Sequence, residues 1–120
     1  MFVEDNIMHL TGRGFIYHFP EGFDDRAAIE MTDKGYVAGG SVELLGRGRY
    51  PVALFTPTRL RQELAIVVEH GEAVLTEEGL AVIPDVTPDA ILGAVEQLVR
   101  EGFFDHLKPL VPVEANGVAH

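Results

Sequence analysis

Read for the spacing of apolar side chains alone, the chain changes period near residue 56. Before it, apolar and polar residues alternate in short runs, as strands with one buried face do. After it, apolar residues recur at three- and four-residue intervals, as amphipathic helices require. The run GFIYHF (14–19) sets Phe15, Tyr17 and Phe19 on one face and Ile16 and His18 on the other. PEGFDD (20–25) reads as a loop. RAAIEMT (26–32) alternates again, Ala27, Ile29 and Met31 opposing Ala28, Glu30 and Thr32, and is read as a second strand ended by a DKG turn. YVAGGSVELL (36–45) is a third strand, weakened by Gly39 and Gly40, a pair suited to a bulge. RYPVALF (49–55) is a fourth; Pro51 has no N–H for a ladder and predicts an edge position or an irregular start.

TPTRLRQELAIVVEHG (56–71) carries a helix-start device, with Thr56 as N-cap and Pro57 at the first helical position. Leu60, Leu64, Val67 and Val68 form its apolar stripe, and Gly71 after His70 ends it. LAVIP (80–84) is short and nearly all apolar, the pattern of a buried strand. Thr87 and Pro88 repeat the start device for a second helix, with Ile91, Val95, Leu98 and Val99 facing inward and Gly102 as the stop. Phe103 and Phe104 are expected to fold back onto the core, and the end of the tail KPLVPVEANGVAH to be poorly ordered. The expectation is an α+β two-layer sandwich: a mostly antiparallel four- to five-stranded sheet with two helices packed on one face. Residues 1–107 would form one domain and 108–120 a proline-containing tail.

The tripeptide Gly-Arg-Gly occurs twice, at 12–14 and 46–48, each time between β-favouring runs. Phosphate cradles need a helix after the glycine-rich turn, and RNA-binding Arg-Gly segments come as many repeats in basic chains. Both copies are therefore read as hairpin turns, with their arginines solvated at the tips.

Composition narrows the functions. A chain of 120 residues, 47% hydrophobic and 23% charged, closes a single core. It has no cysteine, which removes disulfides, thiolate catalysis and thiolate zinc sites. A net charge of −10, from 19 acids and 9 bases, disfavours nucleic acid and anionic lipid, although Arg47, Arg49, Arg59 and Arg61 are a local concentration of cations. The opening Met1-Phe2-Val3-Glu4-Asp5 has acids where a signal peptide needs bases, and no apolar run is long enough for a membrane span. These features predict a soluble, cytoplasmic protein with no membrane partner.

The five histidines fall at none of the spacings that build metal sites, and no cofactor motif is present, so no metal or cofactor is expected. Ser41, the lone serine, sits in GGSVE rather than a nucleophile elbow. Strand parity is more informative. If Ile29, Met31, Tyr36, Val42 and Leu44 face the helices, then Glu30, Thr32, Ser41, Glu43, Arg49 and His18 share the opposite face. His18, Glu30, Glu43 and Arg49 are the candidates for acid–base work or anion clamping there. Ile16, Val37, Leu45 and Phe55 fall on the same face and give it the mixed character of an interface. The leading expectation is a non-catalytic binding or protein-interaction module, a homodimer through its open sheet face or an edge strand, or bound to a basic protein partner. The alternative is a small-molecule-binding protein or small acid–base enzyme using the polar sheet face.

Overall fold

In the computed structural model, which describes residues 8–110, one five-stranded sheet runs in the order β1 (His9–Thr11), β2 (Phe15–His18), β3 (Tyr36–Leu44), β4 (Gly48–Phe55), β5 (Leu80–Val82). The first four strands are antiparallel neighbours, and β5 is parallel to β4. Three helices, α1 (Asp25–Lys34), α2 (Pro57–Glu69) and α3 (Pro88–Arg100), and a 3₁₀ turn at Phe103–His106 complete an α+β fold with a mixed, mostly antiparallel sheet. The parallel pair arises because a helical crossover, not a hairpin, joins β4 to β5. The expected disorder at the chain end falls on residues 111–120, outside the described residues.

The stretch 26–32, expected as a strand, is most of helix α1. Its ends decide the matter. Asp24 stands in extended conformation and its carboxylate accepts from the Ala27 N–H at 2.9 Å, while Gly35, at φ 79°, donates its N–H to the Met31 carbonyl. Arg26 and Glu30 pair one turn apart at 3.5 Å. Met31 alone is buried on this helix, so alternation in AAIEM reflects no second buried face. One inward side chain satisfies either period. The helix is tied down by the Thr32 hydroxyl, which donates to the Val86 carbonyl at 2.9 Å.

The Gly39–Gly40 bulge forms, and it reverses part of the expected parity. Val37 opposes Leu54 but Gly40 opposes Val52, so β3 holds one extra residue there. Gly39 takes φ 86°. Val37, expected on the open face, therefore joins Val42 and Leu44 in the core, and Tyr36, expected in the core, turns outward. Gly40 is also where the Tyr17 ring passes: a Cβ there would lie 2.3 Å from the phenol oxygen.

The core occupies one side of the sheet. Ile91 and Val95 of α3, Met31 of α1 and Phe104 cover Phe15, Tyr17, Val42, Leu44, Val52 and Leu54. Phe104 is buried as expected, with Phe103 edge-on against it at 5.1 Å between ring centroids. Both Gly-Arg-Gly segments are turns: the Gly12 N–H closes onto the Phe15 carbonyl at 2.9 Å, and the Arg47 N–H onto Leu44 at 2.9 Å. Arg47 is not merely solvated, because its guanidinium pairs with Asp105 and ties the β3–β4 turn to the 3₁₀ turn.

β5 is an edge strand, not the buried one expected: Val82 is 48% exposed and burial resumes at Ile83. β4 lies inside the sheet, yet β5 reaches only Ala53 to Phe55. The Ala53 N–H donates outward to Gly79 at 2.9 Å, and the Arg49 carbonyl accepts from Leu110 at 2.7 Å. Pro51 shares that outward parity, so its missing N–H costs the β3 ladder nothing.

Helix α2 departs furthest from expectation. Its Thr56 cap accepts from the Arg59 N–H at 3.2 Å, and its far end closes with Gly71 donating to Val68 and Glu72 to Val67. The helix boundaries thus follow the sequence. The stripe Leu60, Leu64, Val67, Val68 does not reach the core, and α2 buries none of its residues. Only α1 and α3 serve the core side.

Candidate functional site

The face opposite the core is ordered by strand register. His9, His18, Ser41 and Pro51 form one cross-strand row, and Thr11, Ile16, Glu43 and Arg49 the next on the same face. The row between them, Leu10, Tyr17, Val42 and Tyr50, points into the core, which fixes the outward direction of its neighbours. Of the four candidates for chemistry, His18, Glu43 and Arg49 therefore share one surface. Glu30 does not, because it lies on α1 and pairs with Arg26.

Contacts on this face run diagonally. His18 Nε2 lies 2.8 Å from Glu43 Oε1. The Arg49 guanidinium donates to the Ser41 hydroxyl from Nη2 at 3.0 Å and from Nε at 3.3 Å. Glu43 and Arg49 are direct register partners, but each is engaged by a different neighbour. Ser41 is buried beneath this layer while Arg49 is exposed. His9, whose ring centroid is 6.2 Å from that of His18, joins the surface from β1. Its place is readable from the turn at Gly12 once NIMHL is taken as the first arm of a hairpin. Among the described residues no group of three His, Asp or Glu side chains is disposed to hold a metal ion.

Chemically, the face offers an imidazole–carboxylate pair and a guanidinium bound to a serine hydroxyl, partly exposed to water. Hollows among the described residues lie elsewhere. One of about 160 Å³ is bordered by Phe23, Ala27, Glu30 and Tyr36. Another, of about 480 Å³, lies between the end of α1 and the start of α2, lined by Lys34, Thr56, Arg59 and Gln62 among others. Neither includes His18, Ser41, Glu43 or Arg49. Burial pushes the Tyr17 phenol above the usual tyrosine range, and its hydroxyl has no hydrogen-bond partner among the described residues, but Tyr17 belongs to the core.

The four expected interface residues separate. Ile16 is half-buried on the open face, Leu45 is 63% exposed in the turn after β3, and Val37 is in the core. Phe55 points to the open side but is buried, stacked on Tyr36 at 5.4 Å between centroids. Arg59 lies over the outer side of that stack, 4.3 Å from the Tyr36 ring centroid, and pairs with Glu63. This anchors the first turns of α2. Beyond them Leu64 and Val68, which the stripe reading sets towards the core, are exposed, as is Ile66 on the other side of the helix.

Among the described residues no helix is long and apolar enough to cross a membrane. Compared with protein-family models, curated proteins and solved structures, the chain matches none.

Proposed function

We propose that this protein is a non-catalytic protein-interaction module and that α2 is the surface through which it binds. The observation carrying the reading is the exposure of Leu64, Ile66 and Val68, at 42%, 46% and 57%, on a helix with no buried residue. A helix this short is marginal in water by itself, and its stability ordinarily comes from packing an apolar face. Apolar groups rimmed by charge are the usual composition of an interface. The chain's acidity favours a partner that is not itself strongly acidic and is consistent with a cytoplasmic setting.

The test is Leu64→Ser combined with Val68→Ser, read by thermal unfolding of the dilute protein. An interaction surface predicts a change within about 0.5 kcal/mol, as for surface substitutions. A loss of several kcal/mol would mean that these side chains are packed within the fold, and the reading fails.

A second reading, small-molecule binding or acid–base chemistry at the sheet face, draws on the His18–Glu43 pair beside Ser41–Arg49. It predicts that phosphate or a small carboxylate shifts the NMR signals of His18 and Arg49 saturably. Shifts that merely track ionic strength would count against it.

A further inference from the structure

Independently of α2, we propose that His9 and His18 bind a divalent transition-metal ion of the zinc class, with Glu43 holding the His18 ring in place behind it. Sequence spacing hides this pair, because only the β1–β2 hairpin makes the two histidines register partners. The Phe19 N–H donates to the Met8 carbonyl at 3.2 Å, and the Gly12 N–H to Phe15 at 2.9 Å. Hydrogen-bonded pairs therefore fall at 8 and 19, 10 and 17, and 12 and 15. His9 and His18 are left as a pair without ladder bonds, the kind whose side chains stand closest. Both point away from the core, since Leu10 and Tyr17 beside them point into it.

Their ring centroids are 6.2 Å apart, with the planes tilted by 44°. A zinc–nitrogen bond is about 2.0–2.1 Å, so two imidazoles sharing one tetrahedral ion have centroids roughly 5 Å apart. His9 is exposed, and rotation about its side-chain bonds closes the difference.

Glu43 selects the nitrogen. β2 lies between β1 and β3, and His18 turns Nε2 to Glu43 Oε1, on the β3 side, at 2.8 Å. The two nitrogens of an imidazole point to opposite sides of the ring. A carboxylate on Nε2 keeps the proton there and leaves the Nδ1 lone pair for the side facing β1 and His9. A carboxylate behind a metal-bound histidine fixes the ring's orientation and raises its basicity.

Among the described residues no third His, Asp or Glu is disposed to join the pair, so water completes the coordination shell. Imidazole ligands suit Zn²⁺, Cu²⁺ and Ni²⁺, whereas Mg²⁺ and Ca²⁺ take oxygen. Arg49 stands two strands from His18 and is held by Ser41, and the net charge of −10 attracts a cation. A bound ion would clip β1, an edge strand of three residues, to β2.

The experiment is calorimetric titration of the full chain with ZnCl₂ in metal-free buffer, with MgCl₂ as the control salt. The samples are wild type, His9→Ala, His18→Ala and Glu43→Ala, each checked by thermal unfolding without metal. Wild type should bind one Zn²⁺ per chain and no Mg²⁺. Either histidine variant should bind zinc at least about tenfold more weakly, and Glu43→Ala about tenfold more weakly, as loss of an outer carboxylate does. Nitrogen-15 spectra of histidine-labelled protein should show zinc shifting Nδ1 of His18. Wild type that takes up no zinc, or binding unchanged by His9→Ala, overturns the site. One zinc per two chains would put the ion between copies and overturns it too. Tighter binding by Glu43→Ala would mean that the carboxylate competes with the metal, and overturns the roles of Glu43 and Nδ1.

Discussion

His18 and Glu43 meet across β2 and β3 one step off register, Nε2 to Oε1 at 2.8 Å, although the register partner of His18 is Ser41. Their side chains are 21% and 39% exposed, so water screens the attraction. A double-mutant cycle with His18→Ala and Glu43→Ala, followed by urea denaturation, should give a coupling of about 1 kcal/mol or less. A coupling several times larger would show that this face is shielded from solvent.

Gly40 and Tyr17 are a matched pair. Gly40→Ala places a methyl 2.3 Å from the phenol oxygen and 3.0 Å from the His18 carbonyl, so it should destabilise by about 2 kcal/mol or more. Tyr17→Phe removes a buried hydroxyl with no hydrogen-bond partner among the described residues and should be neutral or stabilising by about 1 kcal/mol.

Tyr17 also sets a pH dependence. Burial holds its phenol above its ordinary value of 10.0, so the folded state disfavours the phenolate. A raised folded pKa contributes stability that is complete below pH 10 and is lost as pH rises beyond it. Unfolding free energies should therefore fall more steeply above pH 10 for wild type than for Tyr17→Phe, and equal slopes would contradict the assignment.

Two glycines with similar backbones should respond differently to alanine. Gly71, at φ 85°, has nothing within 4 Å of a new Cβ, and Gly71→Ala should cost about 1 kcal/mol for the left-handed conformation. Gly79, at φ 72°, would drive its methyl to 2.2 Å from the Pro51 carbonyl oxygen. Gly79→Ala should cost at least about 2 kcal/mol more and release β5, visible as faster amide exchange at Ala53.

Asp24→Ala removes the carboxylate that accepts from Ala27 and should cost about 1 kcal/mol, with Asp24→Asn recovering most of it. Equal losses in the two variants would indicate that the charge, and not the cap, stabilises α1.

These positions show what local chemistry reveals and where it stops. Caps and stops at Thr56, Gly71, Thr87 and Gly102 are legible in the sequence because each acts on its nearest neighbours. The stretch 26–32 reads as a strand because one buried residue, Met31, cannot distinguish periods; Asp24 and Gly35 hold the missing signal. The bulge is visible as Gly39–Gly40, but its shift of Val37 to the core depends on β4 register. Parity on short strands brings His18, Glu43 and Arg49 to one face, as the structure does, whereas Glu30 goes with the helix that parity mistakes for a strand. The exposure of α2 has no local signal, because an apolar stripe states only that something should cover it.

Between Phe55 and Ala81 the hydrophobic core receives no side chain. The fold is built from two blocks of chain, and the stretch bridging them is a guest that must only span the distance and return parallel. Replacing 57–78 with another helical crossover would keep every core contact. If α2 is the binding surface proposed above, recognition and folding are written in separate parts of this chain, and one can diverge without renegotiating the other.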